Sequence, residues 1–148
     1  MLRLFIFLLS LGGLADALYF TLAYYGRIKK ARWVPEIFCA REGSSCVTVV
    51  RTPYARIFGV PNSLLGIVYY VLLIAWAMFV PRYVSILGHV MRPFETLGLL
   101  LLGASALTVV LAFYLIRTLR RVLHTDCPLC YVAHVINIVL FVLLILVA

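Results

Sequence analysis

Charge is what this chain has least of. Asp, Glu, Lys and Arg make up 12% of its 148 residues, five acidic against 13 basic, while glutamine is absent and asparagine occurs only at 62 and 137. So few polar side chains exclude an ordinary soluble core clothed by a charged surface. Internal repeats and low-complexity tracts are also missing, which excludes solenoids and extended disordered linkers. The basic residues flank apolar runs rather than gathering on a polar face, so nucleic-acid binding is excluded as well. Cysteine is scarce too, and its four occurrences, Cys39, Cys46, Cys127 and Cys130, all fall in or beside the segments that connect apolar runs.

What is abundant is hydrocarbon, at 66% of residues. Four runs are long enough to cross a bilayer, which takes roughly 20 residues at about 1.5 Å each. They are 4–25, interrupted only by Asp16; 62–80 and 96–116, without charge; and 127–148, whose one titratable group beyond its cysteines and Tyr131 is His134. Inside hydrocarbon every backbone polar group must be satisfied within the protein, so the expected fold is an all-α membrane protein. It is a four-transmembrane-helix bundle forming a single integral membrane domain over 1–148, with a long loop between the first two helices. Arg3, the first run and Ala15-Asp16-Ala17 also fit a cleaved secretory signal. The apolar character continues past that point to Tyr24-Tyr25, however, which is longer than a signal core and ends in an interfacial aromatic pair.

Residues 26–61 are punctuated by Pro35, Gly43, Pro53, Gly59 and Pro61, which breaks any continuous helix there and leaves room only for a short surface element near Cys46–Arg51. An even number of spans puts this segment and the Cys127-Pro128-Leu129-Cys130 pair on one side of the membrane. The four thiols therefore share a face, as thiol–disulfide exchange requires. Thr125 or Asp126 is predicted to cap a helix with Pro128 in its first turn, holding both later thiols at the positive end of the helix dipole, where thiolate is favoured.

Cys39, Cys46, Thr52, the stretch Phe58-Gly59-Val60-Pro61-Asn62-Ser63-Leu64-Leu65-Gly66 and the Cys127-x-x-Cys130 helix start occur in an order that resembles the vitamin K epoxide reductase family and its prokaryotic homologues. The resemblance implies a thiol:quinone oxidoreductase. Cys39 and Cys46 would take electrons from a thioredoxin-like partner, Cys127 would exchange with them, and Cys130 would face a quinone of ubiquinone or menaquinone type as co-substrate. It further implies that Thr52 hydrogen-bonds near the redox centre and that Asn62 donates to a quinone oxygen. Asn62 equally suits a helix cap. At the position of His134 the vertebrate enzymes carry tyrosine; a histidine there can donate to the quinone or pack inside the bundle against Asn137. Asp16 reads either as a proton carrier or as a neutral carboxyl bonded to a neighbouring helix. Gly12, Gly13 and the run Gly103-Ala104-Ser105 fit close helix packing.

Basic residues sit unevenly about the spans. Arg27, Lys29, Lys30, Arg32, Arg41, Arg51, Arg56, Arg117, Arg120 and Arg121 lie on the cysteine side, against Arg3, Arg82 and Arg92 opposite. The positive-inside rule thus predicts a multi-pass cell-membrane protein with its catalytic face in the cytoplasm, inverted relative to the family's usual placement. Cytoplasmic disulfide formation suits a hyperthermophile, and the shortage of Asn and Gln agrees. Anionic headgroups of the lipid bilayer would attract the same charges. The competing function is a structural or metal-binding membrane subunit using the thiols as disulfides or a zinc site; six residues between Cys39 and Cys46 fit zinc poorly, and no metal ligand set is assigned. A second type of four-span quinone-linked oxidase carries its Cys-x-x-Cys first and its spaced pair later, the reverse of the order here.

Overall fold

The computed structural model describes residues 1–27, 45–57, 59–87 and 92–147, with the side chains of 45, 46 and 80–95 left aside. The first helix, α1 (Leu2–Tyr24), is built from leucine, phenylalanine and alanine without proline. It stops because Gly26 takes a left-handed φ of 68°. The Gly26 N–H then reaches the Ala23 carbonyl at 3.1 Å and the Arg27 N–H the Leu22 carbonyl at 2.9 Å, the paired bonds that satisfy a helix end ahead of a glycine.

A short helix, α2 (Ser45–Val50), leads through a 3-10 turn (Pro53–Ala55) into a small antiparallel hairpin, β1 (Arg56–Ile57) and β2 (Val60–Pro61), turned with Gly59 at φ 80°. Three long helices complete the chain: α3 (Asn62–Leu87), α4 (Arg92–Thr118) and α5 (Pro128–Val147). Apolar spans run over Leu2–Tyr24, Asn62–Phe79, Thr96–Leu123 and Pro128–Val147, so the protein is a four-transmembrane-helix bundle with a long first connection.

Two predicted boundaries move. The 81–95 connection is mostly helix, because a proline inside a membrane helix removes one backbone bond without forcing a break. The third span does not end at Ile116: α4 continues to Thr118 and then makes one π-helical turn, Leu119–Leu123, closed by His124 at φ 46°. Leucine and arginine are strong helix formers, and the long arginine stems let charge lie beyond the hydrocarbon edge while the backbone stays helical.

Register between the helices is set by a few close contacts. Thr21 Oγ1 donates to Ser63 Oγ at 3.0 Å, Gly66 faces Ala17, and the Tyr70 ring occupies the space a Cβ would need at Gly13. Gly98 lies against Trp76 and Gly12 against Ile136, whereas Gly103 faces open space and has no packing role. Ile6, Leu73 and Leu140 are fully buried in a central core with Tyr69, Tyr70 and Trp76. Leu4, Leu99, Leu100, Val110, Phe113 and Leu146 point outward, as lipid-facing residues do.

A second, smaller core lies at the cysteine end: Phe20 and Ala23 of α1, Val47, Val49 and Val50 of α2, Leu119, and Cys127. The element expected on the surface near Cys46 is therefore a plug, its valines buried against the ends of α1 and α5. Its alternation of buried Val47, exposed Thr48 and buried Val49-Val50 shows why composition alone mistook it.

Candidate active site

The redox pair stands at the start of α5. Cys127 and Cys130 form a disulfide with Cα atoms 5.3 Å apart. Cys127 is completely buried and Cys130 half-buried. Pro128 is the first residue of α5, where a missing N–H leaves no helix bond unmade.

Neither predicted residue stands immediately before Pro128, where the helix begins. Thr125 Oγ1 donates back to the Leu123 carbonyl at 2.8 Å, and Asp126 Oδ1 accepts from the Tyr131 hydroxyl at 3.4 Å. Cys127 itself takes the capping position: its Sγ accepts the Cys130 N–H at 3.3 Å, and its carbonyl accepts the Tyr131 N–H at 3.2 Å. A sulfur that receives a backbone N–H at a helix start is stabilised as thiolate once the disulfide opens. Outside, Arg120 Nε reaches the Tyr131 hydroxyl at 3.4 Å and its guanidinium covers the Tyr131 ring at 5.6 Å. The last turn of the third span is thereby tied to the first turn of the fourth.

Of the expected shuttle pair, Cys39 lies outside the described residues. Cys46 lies in α2, and its side chain is not described, but its backbone precedes the buried Val47 that shares a packed cluster with Cys127. Thr52 ends α2: its hydroxyl donates to the Val49 carbonyl at 2.7 Å and its N–H to the same oxygen at 3.1 Å. Thr52 thus holds the segment that carries Cys46.

Asn62 is the first residue of α3 and lines a pocket of about 260 Å³. The other walls are Pro53, Tyr54, Arg56 and Ile57 from the turn and hairpin and Leu111, Tyr114 and Leu115 from α4. The walls are apolar with a few polar groups. Of these walls the sequence marked only Asn62 as a binding residue, with Pro53 read as a helix breaker and Arg56 as a flanking charge; the signal available was the Pro53–Pro61 turn pattern, which has to fold over something.

His134 is not among the pocket walls. It is buried deeper, and its Nδ1 has no hydrogen-bond partner among the described residues. The expected packing partner, Asn137, is engaged elsewhere, accepting from the Tyr70 hydroxyl at 2.7 Å. Ser10 Oγ, one oxygen of Asp16, the Tyr69 hydroxyl and Ser105 Oγ are likewise buried without partners among the described residues. Each such group costs about 1–3 kcal/mol when unpaired. The bond to a neighbouring helix anticipated for the Asp16 carboxyl is thus not made by this one of its two oxygens. Among the described residues no three His, Cys, Asp or Glu side chains converge as a metal site.

No individual curated protein matches the chain. A family does: the sequence fits the vitamin K epoxide reductase family over residues 4–145. With a buried Cys-x-x-Cys disulfide at the mouth of a four-span bundle and a match across nearly its whole length, the chain belongs to the vitamin K epoxide reductase family.

Proposed function

We propose that this member of a family of membrane disulfide/quinone oxidoreductases oxidises a thioredoxin-like dithiol and delivers its electrons to a quinone, with residues 1–148 acting as one integral membrane domain. The observation that carries the reading is the placement of α2, the segment bearing Cys46, against the wholly buried Cys127, whose disulfide partner Cys130 lies one turn deeper. Electrons enter at the Cys39/Cys46 pair by exchange with the partner, and a second exchange reduces Cys127–Cys130. The Cys130 thiolate, which is not itself a wall of the Asn62 pocket, then reduces a quinone that extends from that pocket to reach it. Overall, a partner dithiol and a quinone become a partner disulfide and a quinol, so two electrons and two protons balance.

Asn62, in the pocket wall, is the donor to one quinone oxygen, and His134, which lies outside that wall, serves the other oxygen of a ring that reaches from the pocket toward the bundle centre. Thr52 positions α2. The quinone is of ubiquinone or menaquinone type, and family membership does not favour a zinc-binding or purely structural role. The charge asymmetry about the spans supports a cytoplasmic catalytic face.

Purified protein in detergent, given a dithiol reductant and a soluble quinone analogue, should bleach the quinone absorbance, and Cys130→Ser should abolish the bleaching. Equal rates in parent and variant would defeat the reading.

A further inference from the structure

The orphaned polar atoms noted above are not scattered. Their depth in the bundle follows from helix contacts. Tyr70 meets Gly13 and bonds Asn137; Ile136 meets Gly12; and Trp76 meets Gly98, which by antiparallel register sets Ser105 level with Tyr69. Indeed the Tyr69 hydroxyl faces Ser105 and Thr108, yet meets neither at hydrogen-bonding geometry. Ser10 and Asp16 bracket Gly13 on α1, and His134 precedes Asn137 by one turn on α5. All five groups fall in a slab about 9 Å deep, at about 1.5 Å rise per residue, in the middle of the span.

Four of these residues are at least nine-tenths buried: Ser10 and Ser105 completely, Tyr69 at 8% and His134 at 9% exposure. They come from four different helices, α1, α3, α4 and α5. Leaving so many buried groups unpaired would offset much of the net stability of a domain. Buried polar groups in native proteins find partners, and where side chains do not meet, the partner is ordered water held by two to four polar atoms. Apolar residues in the same layer would have satisfied packing alone, and intramembrane polar groups mark proton or ion paths.

We propose that the centre of the bundle holds a buried cluster of water molecules bound by Ser10, Asp16, Tyr69, Ser105 and His134, and that this cluster passes a proton between Asp16 and His134. The first half stands on the bundle alone. The second rests on the reading of His134 as the contact to the deeper quinone oxygen. Oxidation of the Cys127/Cys130 dithiol releases two electrons and two protons, and the quinone takes up the same number as it becomes quinol. One of those protons is held at Asp16, passes through the water to His134 and goes to the deeper quinone oxygen, while the second reaches the other oxygen from the pocket side without entering the cluster.

Radiolytic labelling of the full-length protein in detergent, using isotopically heavy water, tests the water directly, since bound water oxidises the side chains beside it. Tyr69 and His134 should be labelled well above the equally buried Phe20, and Ser105→Val, which fills the site with methyl groups, should bring them down. Labelling at the Phe20 level would overturn the site. For the proton path, Asp16→Asn should lower quinone turnover about 10-fold or more. Its KM for quinone and its rate of Cys127–Cys130 reduction should stay at parent values, and Ser105→Val should lower turnover in the same way if Asp16→Asn does not fold. Strong labelling with unaltered turnover would overturn the proton path. A parent that labels at Tyr69 but reduces no quinone would instead sink the functional reading while leaving the water site standing.

Discussion

At the scale of single residues, the two sulfurs of the redox pair differ in access. Cys127 is wholly buried in a cluster with Val47, Val49, Val50, Phe20 and Leu119, while Cys130 is half-buried at the edge of the same cluster. In the reduced protein a small alkylating reagent should therefore modify Cys130 faster than Cys127, and Val50→Ala should narrow the gap, as mass spectrometry of timed reactions would show. Modification of Cys127 first would contradict the burial. Asn62 is tested by Asn62→Ala: losing one hydrogen bond to a quinone oxygen should reduce kcat/KM by about tenfold, corresponding to roughly 1.4 kcal/mol, without slowing exchange at the cysteines. These positions were legible as residue types with a spacing. What spacing could not convey is that Asn62 and His134 do not share one pocket wall, or that the Cys127 sulfur would accept a backbone N–H at the start of its own helix. Both depend on where side chains turn once the chain is packed.

Elements act here through their ends. The hydroxyl of Thr52 closes α2 onto the Val49 carbonyl, so Thr52→Val should destabilise the seating of α2 by about 1 kcal/mol and raise protease sensitivity around Arg51 while the four spans stay folded. Global unfolding in that variant would show that α2 supports the whole bundle. Between α3 and α5, the hydrogen bond from Tyr70 to Asn137 is enclosed. Tyr70→Phe leaves an acceptor unsatisfied, and the thermal midpoint in detergent should fall by an amount equivalent to about 1–3 kcal/mol. Gly13→Val is a harsher test. Its side chain meets the Tyr70 ring, and pushing α1 off α3 should cost at least about 1–3 kcal/mol, read as a lower midpoint or loss of the folded species. Close packing at Gly12 and Gly13 was anticipated from their size. Gly103 carried the same sequence signal and faces outward, because a small residue permits an approach without compelling one.

For the whole molecule, orientation is the open physical quantity with the plainest test. The cysteine side carries exposed Arg27, Arg51, Arg56, Arg117, Arg120 and Arg121, so the inserted chain should keep that face in the cytoplasm. An impermeant maleimide applied to intact cells should leave reduced loop thiols unmodified and should reach them only after permeabilisation. Ready labelling of intact cells would reverse the assignment. Hydropathy alone determined that the chain has four spans and that the segment bearing Cys46 lies at the same end as the Cys127–Cys130 pair, because span length and the parity of crossings are properties of linear order. Family resemblance was legible for the same reason, as an ordered set of cysteines, prolines and Asn62. Only the tertiary structure decided that α2 is a buried plug, that a pocket lies between the hairpin and α4, and that Ser10, Asp16, Tyr69, Ser105 and His134 fall into one layer. Those facts depend on the rotation and register of each helix, which are set by contacts between residues far apart in the chain, such as Gly13 with Tyr70 and Tyr70 with Asn137.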